Sequence, residues 1–395
     1  MTRKVFVAGA GMIPFKKPGS SDTYDVMGAT AVRQALEDAG LGYEDVQQAY
    51  AGYVYGDSTC GQKALYQVGM TGIPVINVNN NCATGSSALF LARQAVQSGA
   101  VDCALAVGFE FMQPGALKSR WDDRAPALER AIGLVDELVD RKELPNAIRQ
   151  FSGAGKAHME KYGTKLETFA RIRAKASRHA ANNPLAVFRN VLTTEDVLAA
   201  PALWEGVLTR LMACPPTCGA AAAIVVSEEF ARKKGLKTDV LIAGQSLTTD
   251  RPSTYDARDM IRVVGFDMTR EGSQQVYEQA GVGPQDIDVI ELHDCFAQNE
   301  LLTYEGLGLC PEGGAEKLVN DGDNTYGGKW VVNPSGGLLS KGHPLGATGL
   351  AQCYEMVQQL RGTADQRQVE GARLALTHNL GLGGACVVTL YQKHA

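Results

Sequence analysis

The chain has 395 residues, of which 45% are hydrophobic and 21% charged, with a formal net charge of −5. That length exceeds one small core and suits two or three domains, or one large duplicated α/β domain. The composition excludes wholesale disorder, and the mild acidity supplies no basic face for nucleic acid.

The first element, Val5-Phe6-Val7-Ala8-Gly9, reads as a buried strand. Met1-Thr2-Arg3-Lys4 before it gives the outline of a signal peptide, but Gly9, Gly11 and Pro14 break the apolar run, so strand plus turn is the better reading. A helix follows, ending Ala35-Leu36-Glu37-Asp38-Ala39-Gly40-Leu41 with Gly40 as its cap. After the acidic turn Tyr43-Glu44-Asp45-Val46 and the strand Val75-Ile76-Asn77-Val78, Cys82-Ala83-Thr84-Gly85 opens a helix to about Ser98. The strand Cys103-Ala104-Leu105-Ala106-Val107 comes next. Residues near 115 to 218 change character, with Arg120, Asp122, Asp123, Arg124, Glu129 and Arg130 leading into a long helix expected from Gly155 to about Asn182. Such polar excursions often cover a binding site. On that helix Arg171, Arg173, Lys175 and Arg178 read as a solvated face, with contacts to nucleotide phosphates as the alternative. The longest apolar stretch, Ala220 to Val226, is too short to span a membrane.

The pattern then repeats. Val240-Leu241-Ile242-Ala243-Gly244 matches the first strand, Val276-Tyr277-Glu278-Gln279-Ala280-Gly281-Val282 the first helix end, and Pro284-Gln285-Asp286-Ile287 the acidic turn. Gly346-Ala347-Thr348-Gly349 opens a helix to about Arg361, and the strand Arg373-Leu374-Ala375-Leu376 follows. This order implies an α/β fold duplicated into two halves with two sheets. The expected boundaries are 1–114 and 219–238 for the N-terminal half, 115–218 for an inserted helical loop domain, and 239–395 for the C-terminal half.

Several generic motifs fail. Pro14 stands where a dinucleotide fingerprint after Gly9-Ala10-Gly11 needs its third glycine, and Gly61-Gln62-Lys63 lacks the Gly-Lys-Ser/Thr of a phosphate loop. Cys214 and Cys218 have no partner ligand pair for zinc. Nine cysteines without a CxxC pair argue for a reducing, cytoplasmic compartment and leave room for a reactive thiol. Cys82 sits at a helix mouth, where unpaired amides and the helix dipole favour a thiolate. His293-Asp294-Cys295-Phe296 ends the strand Asp288 to Leu292, a usual place for catalytic groups in a parallel sheet. His343 precedes the second copy of the Cys82 helix, and His378-Asn379-Leu380-Gly381 follows a strand and offers backbone donors for an oxyanion. Together they look like a Cys/His acyl-transfer site.

Cys82 in NNNCATGSSAL, HDCF at 293–296, GHPLGATG at 342–349 and NLGLGGA at 379–385 resemble the thiolase superfamily, and more narrowly its SCP2-thiolase type. The resemblance spans essentially the whole chain. It implies a five-layered αβαβα fold of two similar halves plus a loop domain, assembled as a homodimer or a dimer of dimers. It implies CoA-dependent thiolytic cleavage of 3-oxoacyl-CoA, or the reverse Claisen condensation, in fatty acid or sterol side-chain metabolism. The partners are then acyl-CoA and CoA, with coenzyme A a co-substrate and no tightly bound cofactor or metal. By resemblance Cys82 is the acyl-carrying nucleophile, His343 takes its proton, and Cys295 is the acid/base at the α-carbon. His293, standing where many thiolases carry Asn, helps hold the enolate, while the amides of Cys82 and Gly381 hold the tetrahedral intermediate. Many thiolases place the second thiol in a C-terminal Cys-x-Gly; here that position reads Asn379-Leu380-Gly381, and Cys386 beyond it reads as strand core. His158-Met159 matches a loop-domain pair near the pantetheine in relatives. The chain stops at Ala395, so the lipid-transfer domain is expected to be absent, and Lys393-His394-Ala395 is no clear peroxisomal signal. The alternatives are a decarboxylating ketoacyl synthase, which would not need Cys295; a lipid-transfer-type retro-aldolase, whose members tend to lack the nucleophilic cysteine; and a non-catalytic acyl-CoA-binding protein.

Overall fold

The computed structural model describes residues 3–113 and 123–394. Arg120, Asp122 and the expected boundary at residues 114 and 115 lie outside the described residues. The first half contributes β1 (Val5–Met12), β2 (Gln48–Gly52), β3 (Val75–Val78) and β4 (Cys103–Glu110). A small hairpin of β5 (Ala202–Trp204) and β6 (Leu208–Thr209) follows in the excursion, and β7 (Gly219–Ser227) returns to the sheet. The second half contributes β8 (Val240–Thr248), β9 (Val289–Glu291), β10 (Val331–Val332), β11 (Leu374–Gly381) and β12 (Ala385–Lys393).

The large sheet runs β10-β9-β11-β12-β8-β1-β7-β4-β2-β3. Its two ends are copies of each other. In one half β4 is antiparallel to β7 and parallel to β2; in the other β11 is antiparallel to β12 and parallel to β9. The duplication read from the sequence is therefore a duplication of topology. The two expected sheets meet edge to edge: the equivalent strands β1 and β8 pair antiparallel through Phe6 and Leu241, giving one ten-stranded run.

Strand alternation builds the layers. Phe6 and Ala8 pack on Val32 and Ala35 of the outer helix Tyr24–Ala39. Val5 and Val7 turn the other way, into a core with Leu89 and Ala92 of the helix Thr84–Gln97 and Leu350, Met356 and Val357 of the helix Thr348–Arg361. In the second half Ala375 and Tyr391 face that same central core. Leu376, Val388 and Leu390 face Val276 and Tyr277 of the outer helix Phe266–Ala280. Helix, sheet, paired central helices, sheet and helix make five layers. Where the central helices cross, a Cβ on Gly85 would meet the Gly346 carbonyl 2.6 Å away, so glycine is what lets the two mouths touch.

The excursion differs from expectation. The single helix from Gly155 to Asn182 is two helices, Asn146–Tyr162 and Leu166–Ala181, broken where Gly163 takes a left-handed φ of 78° and donates to the Met159 carbonyl. Arg173 and Lys175 do not lie on a solvated face. Both are buried, because Arg173 bonds the Ser340 hydroxyl while Lys175 pairs with Glu300 and donates to the Val332 carbonyl at 3.2 Å. Arg171 remains exposed and pairs with Glu167 one turn earlier. No helix among the described residues is long and apolar enough to cross a membrane.

Candidate active site

Cys82 stands on the turn between β3 and the helix Thr84–Gln97. Asn81 takes a left-handed φ of 52°, a conformation asparagine tolerates better than most residues. The turn is locked by Thr84, whose hydroxyl accepts from the Asn80 amide at 2.8 Å and donates to the Asn81 carbonyl at 2.6 Å. The Asn80 side chain donates to Ser87 at 2.9 Å. The expectation of a standing thiolate fails here. Burial, and next the negative Glu110, push the Cys82 thiol up to about 12. Desolvation outweighs the helix dipole, so the resting group is S–H and must be deprotonated by a neighbour.

That neighbour is at hand. One ligating atom each from Cys82, His293 and His343 lie within 4.8 Å of one another, and the two imidazole rings meet edge to face at 5.2 Å. Burial holds both rings neutral: His343 is pushed down to about 3 by burial and Lys341, and His293 well below its usual range by burial, then by His343 and His378. Their hydrogen bonds assign opposite tautomers. The Thr348 hydroxyl donates to the Pro344 carbonyl at 3.0 Å, so at 2.7 Å it accepts from His343 Nδ1–H and leaves Nε2 with a free lone pair. The Asn299 amide donates to His293 Nδ1 at 3.4 Å, so His293 Nε2 carries the proton. Neither Nε2 has a partner among the described residues. A proton acceptor and a proton donor thus stand beside one thiol, which is what attack on a carbonyl and stabilisation of the resulting oxyanion require.

Cys295 is buried in the loop after β9, and burial, then Cys214, Cys82 and Asp294, raise its thiol well above the ordinary range. Cys214 lies directly across from it, its amide donating to the Cys295 carbonyl at 2.8 Å. Phe151, from the helix Asn146–Tyr162, stacks on Phe296 at 5.3 Å and sets its edge against His293 at 6.1 Å, so the excursion walls the site. Gly381 lies against the Cys82 turn: a Cβ there would strike the Asn80 carbonyl and come within 3.2 Å of the Ala83 amide. Asn81 reaches across to donate to the Leu382 carbonyl at 3.1 Å.

Residues 5–229 match the family model described as "Thiolase, N-terminal domain", and residues 250–391 match "Thiolase C-terminal domain-like". The chain belongs to the thiolase family. It is an enzyme of that family, an acyltransferase of acyl-CoA substrates in lipid metabolism. Over 394 residues this thiolase is 54% identical to Sterol carrier protein 2 of Homo sapiens, covering 99% of this chain and 72% of that protein. It is 35% identical over 388 residues to "Benzoylsuccinyl-CoA thiolase subunit BbsB" of Thauera aromatica, covering 97% and 96% of the two chains. Its fold matches the "Ltp2-ChsH2(DUF35) aldolase" with a TM-score of 0.84 at 24% identity over 99% and 98% of the chains. It matches human mitochondrial 3-ketoacyl-CoA thiolase with a TM-score of 0.75 at 19% identity over 99% of each.

Other residues of this thiolase hold the loops in place. Glu110, at the end of β4, accepts from the amides of Val54 and Tyr55 at 3.1 and 3.0 Å and from Gly346 of the second half at 3.0 Å. Behind the HDCF loop Lys341 pairs with Glu291 at 2.9 Å, both nearly fully buried, and Asp294 accepts from the Leu338 amide at 2.7 Å. Thr217 accepts from the His343 amide at 3.2 Å. Glu110, Asn299, Thr217 and Phe151 escaped the sequence reading, and Cys214 entered it only as a rejected zinc ligand. Only Glu110 left a signal, as a lone acid ending the apolar strand Cys103–Glu110. His158 is fully buried with its ring nitrogens engaged by Thr164 at 2.8 Å and Glu305 at 3.0 Å, so neither nitrogen is free for a ligand. Met159 is half-buried against the same core. The only group of three described residues with metal-ligand geometry is Cys82, His293 and His343.

Proposed function

We propose that this thiolase cleaves 3-oxoacyl-CoA with CoA, and that Cys82, His293, Cys295, His343 and Gly381 carry the chemistry. The reading rests on one observation: the Cys82 thiol between a lone pair on His343 and an N–H on His293, within 4.8 Å. His343 Nε2 takes the Cys82 proton as the sulfur bonds to the 3-oxo carbon. The amides of Cys82 and Gly381 face the resulting oxyanion. The bond between carbons 2 and 3 then breaks, its electron pair moves onto the leaving thioester as an enolate held by His293 Nε2–H, and the Cys295 S–H protonates carbon 2. A CoA thiol gives its proton to the Cys295 thiolate and attacks the acyl-Cys82 carbonyl. Cys82 leaves and recovers its proton from His343. Run backward, the same steps are a Claisen condensation. Coenzyme A is co-substrate throughout, and His158 and Met159 flank its pantetheine arm.

Replacing Cys82→Ala is expected to abolish thiolysis, on the order of 10⁴–10⁶-fold in kcat. Cys295→Ala is expected to lose roughly 10²–10⁴-fold, the usual worth of a general acid/base. The assay is thiolysis of 3-oxoacyl-CoA substrates of differing length and α-methylation. Cleavage that survives Cys82→Ala would overturn the acyl-cysteine route and favour retro-aldol chemistry, as the name of the Ltp2-ChsH2(DUF35) aldolase of like fold suggests for that protein. A homodimer or dimer of dimers is the proposed assembly. Its support is the edge strand β3, which ends the sheet with Val75, Ile76 and Val78 only partly covered.

A further inference from the structure

Hydrogen-bonding groups inside a fold are almost always paired, so a buried carboxamide with both ends open marks a point where a partner enters from outside the chain. Asn379 is such a group. It is 0% exposed, and neither Oδ1 nor Nδ2 has a partner among the described residues.

Its place in the sheet tells which way it faces. In β11 Asn379 is in register with Val387 and Gly381 with Ala385, and residues paired across an antiparallel ladder project to the same face. Val387 and Ala385 pack on Ala83, the residue after Cys82, and Gly381 abuts the Asn80–Ala83 turn. The residues on either side, His378 and Leu380, face away: His378 pairs with Thr269 at 3.0 Å on the outer helix Phe266–Ala280, and Leu380 packs in the core under that helix. Asn379 therefore points to the face that carries the nucleophile. It sits one same-face step from Gly381, about 6.5–7 Å along the strand. That separation is too long for the acyl carbonyl held at Cys82 and suits the other end of a substrate bonded there.

We infer that the Asn379 carboxamide is a further substrate-contacting residue, bonding the thioester half of the 3-oxoacyl-CoA that departs as the enolate. The inference rests on the thiolytic reading above. Nδ2–H supplies a donor to the thioester oxygen, whose acceptor strength grows as negative charge develops on it. An amide neither gains nor loses a proton near neutral pH, so Asn379 orients and stabilises, and proton transfer stays with Cys295.

The test separates the two half-reactions in the full chain carrying Asn379→Leu, which keeps the volume and removes both polar ends, with Asn379→Ala as a second variant. Acylation of Cys82 by a plain acyl-CoA, read as a mass shift, involves no enolate. It is expected to stay within about threefold of wild type, while carbon–carbon cleavage in thiolysis falls roughly 10²-fold. Because the leucine removes two unpaired buried atoms, its thermal midpoint is expected to equal or exceed that of wild type. Cleavage within threefold of wild type overturns the inference, as does parallel loss of acylation and of thermal stability, the mark of a purely structural residue. A wild-type chain that neither acylates at Cys82 nor cleaves overturns the thiolytic reading itself, a separate result.

Discussion

At the scale of single residues, the site is a set of groups whose environments push their protonation apart. Cys82 and Cys295 are held as thiols by burial, while His343 and His293 are held as free imidazoles by the same cause. In the proposed mechanism Cys82 is therefore switched on by proton transfer to His343 and is not a standing thiolate. Alkylation of Cys82 by iodoacetamide is expected to rise about tenfold per pH unit through pH 10, since the thiolate fraction keeps growing below a pKa of about 12. A plateau near pH 7 would show that the helix dipole had won. The histidines have a stability consequence as well. His179, His343 and His378 are each lowered to about 3 in the fold, against about 6.5 when unfolded. Above pH 6.5 neither state is protonated and nothing is lost. As pH falls from 6.5 toward 3 the unfolded chain binds protons that the fold excludes, removing on the order of 1 kcal/mol per pH unit for each histidine. Urea midpoints are expected to drop steeply between pH 6.5 and 5, and a flat profile there would refute the neutral assignment.

Elements matter here because the reactive groups sit at their ends. Cys82 and His343 each precede a central helix, and those helices touch through glycine and serine at their first turns. On Gly349 an added Cβ would strike the Ser86 backbone and hydroxyl. Gly349→Ala is expected to cost about 1–3 kcal/mol in unfolding free energy, as overpacking does. It should also depress activity, because any relaxation moves Cys82 away from His343; a variant with native stability and native kcat would show that the crossing is not under this constraint. Alternation and turn residues made the strands and helix ends readable, including Gly40, Gly281 and the duplicated order. The break at Gly163 was missed because glycine inside a charged, helix-forming stretch gives no sign of which turn it will end. The burial of Arg173 and Lys175 was missed for another reason: their partners Ser340 and Glu300 are more than a hundred residues away in the chain.

For the whole molecule, duplication is the device that assembles the site. Two copies of one sheet order meet at Phe6 and Leu241 and bring the mouth of each copy's central helix to a common point. Glu110 of the first half holds Gly346 of the second, so the halves cannot shift without disturbing His343. The exposed edge β3 at the far end leads straight into the Cys82 turn, which gives the proposed assembly a route to the site. Sedimentation is expected to give a species of at least twice 42.1 kDa, and a monomer at micromolar concentration would remove the dimer from the proposal.

The order of residues alone determined the repeated α/β halves and the motifs around Cys82, His293, Cys295, His343 and Gly381, since periodicity, turn chemistry and reactive side chains are local properties. Only the tertiary structure decided which way His293 and His343 hold their protons, that Cys82 rests as a thiol, that Cys214 lies across from Cys295 and that Asn379 is on the sheet face that meets the Cys82 turn. Those features depend on burial and on hydrogen-bond partners from distant parts of the chain, and neither exists until the two halves have packed together.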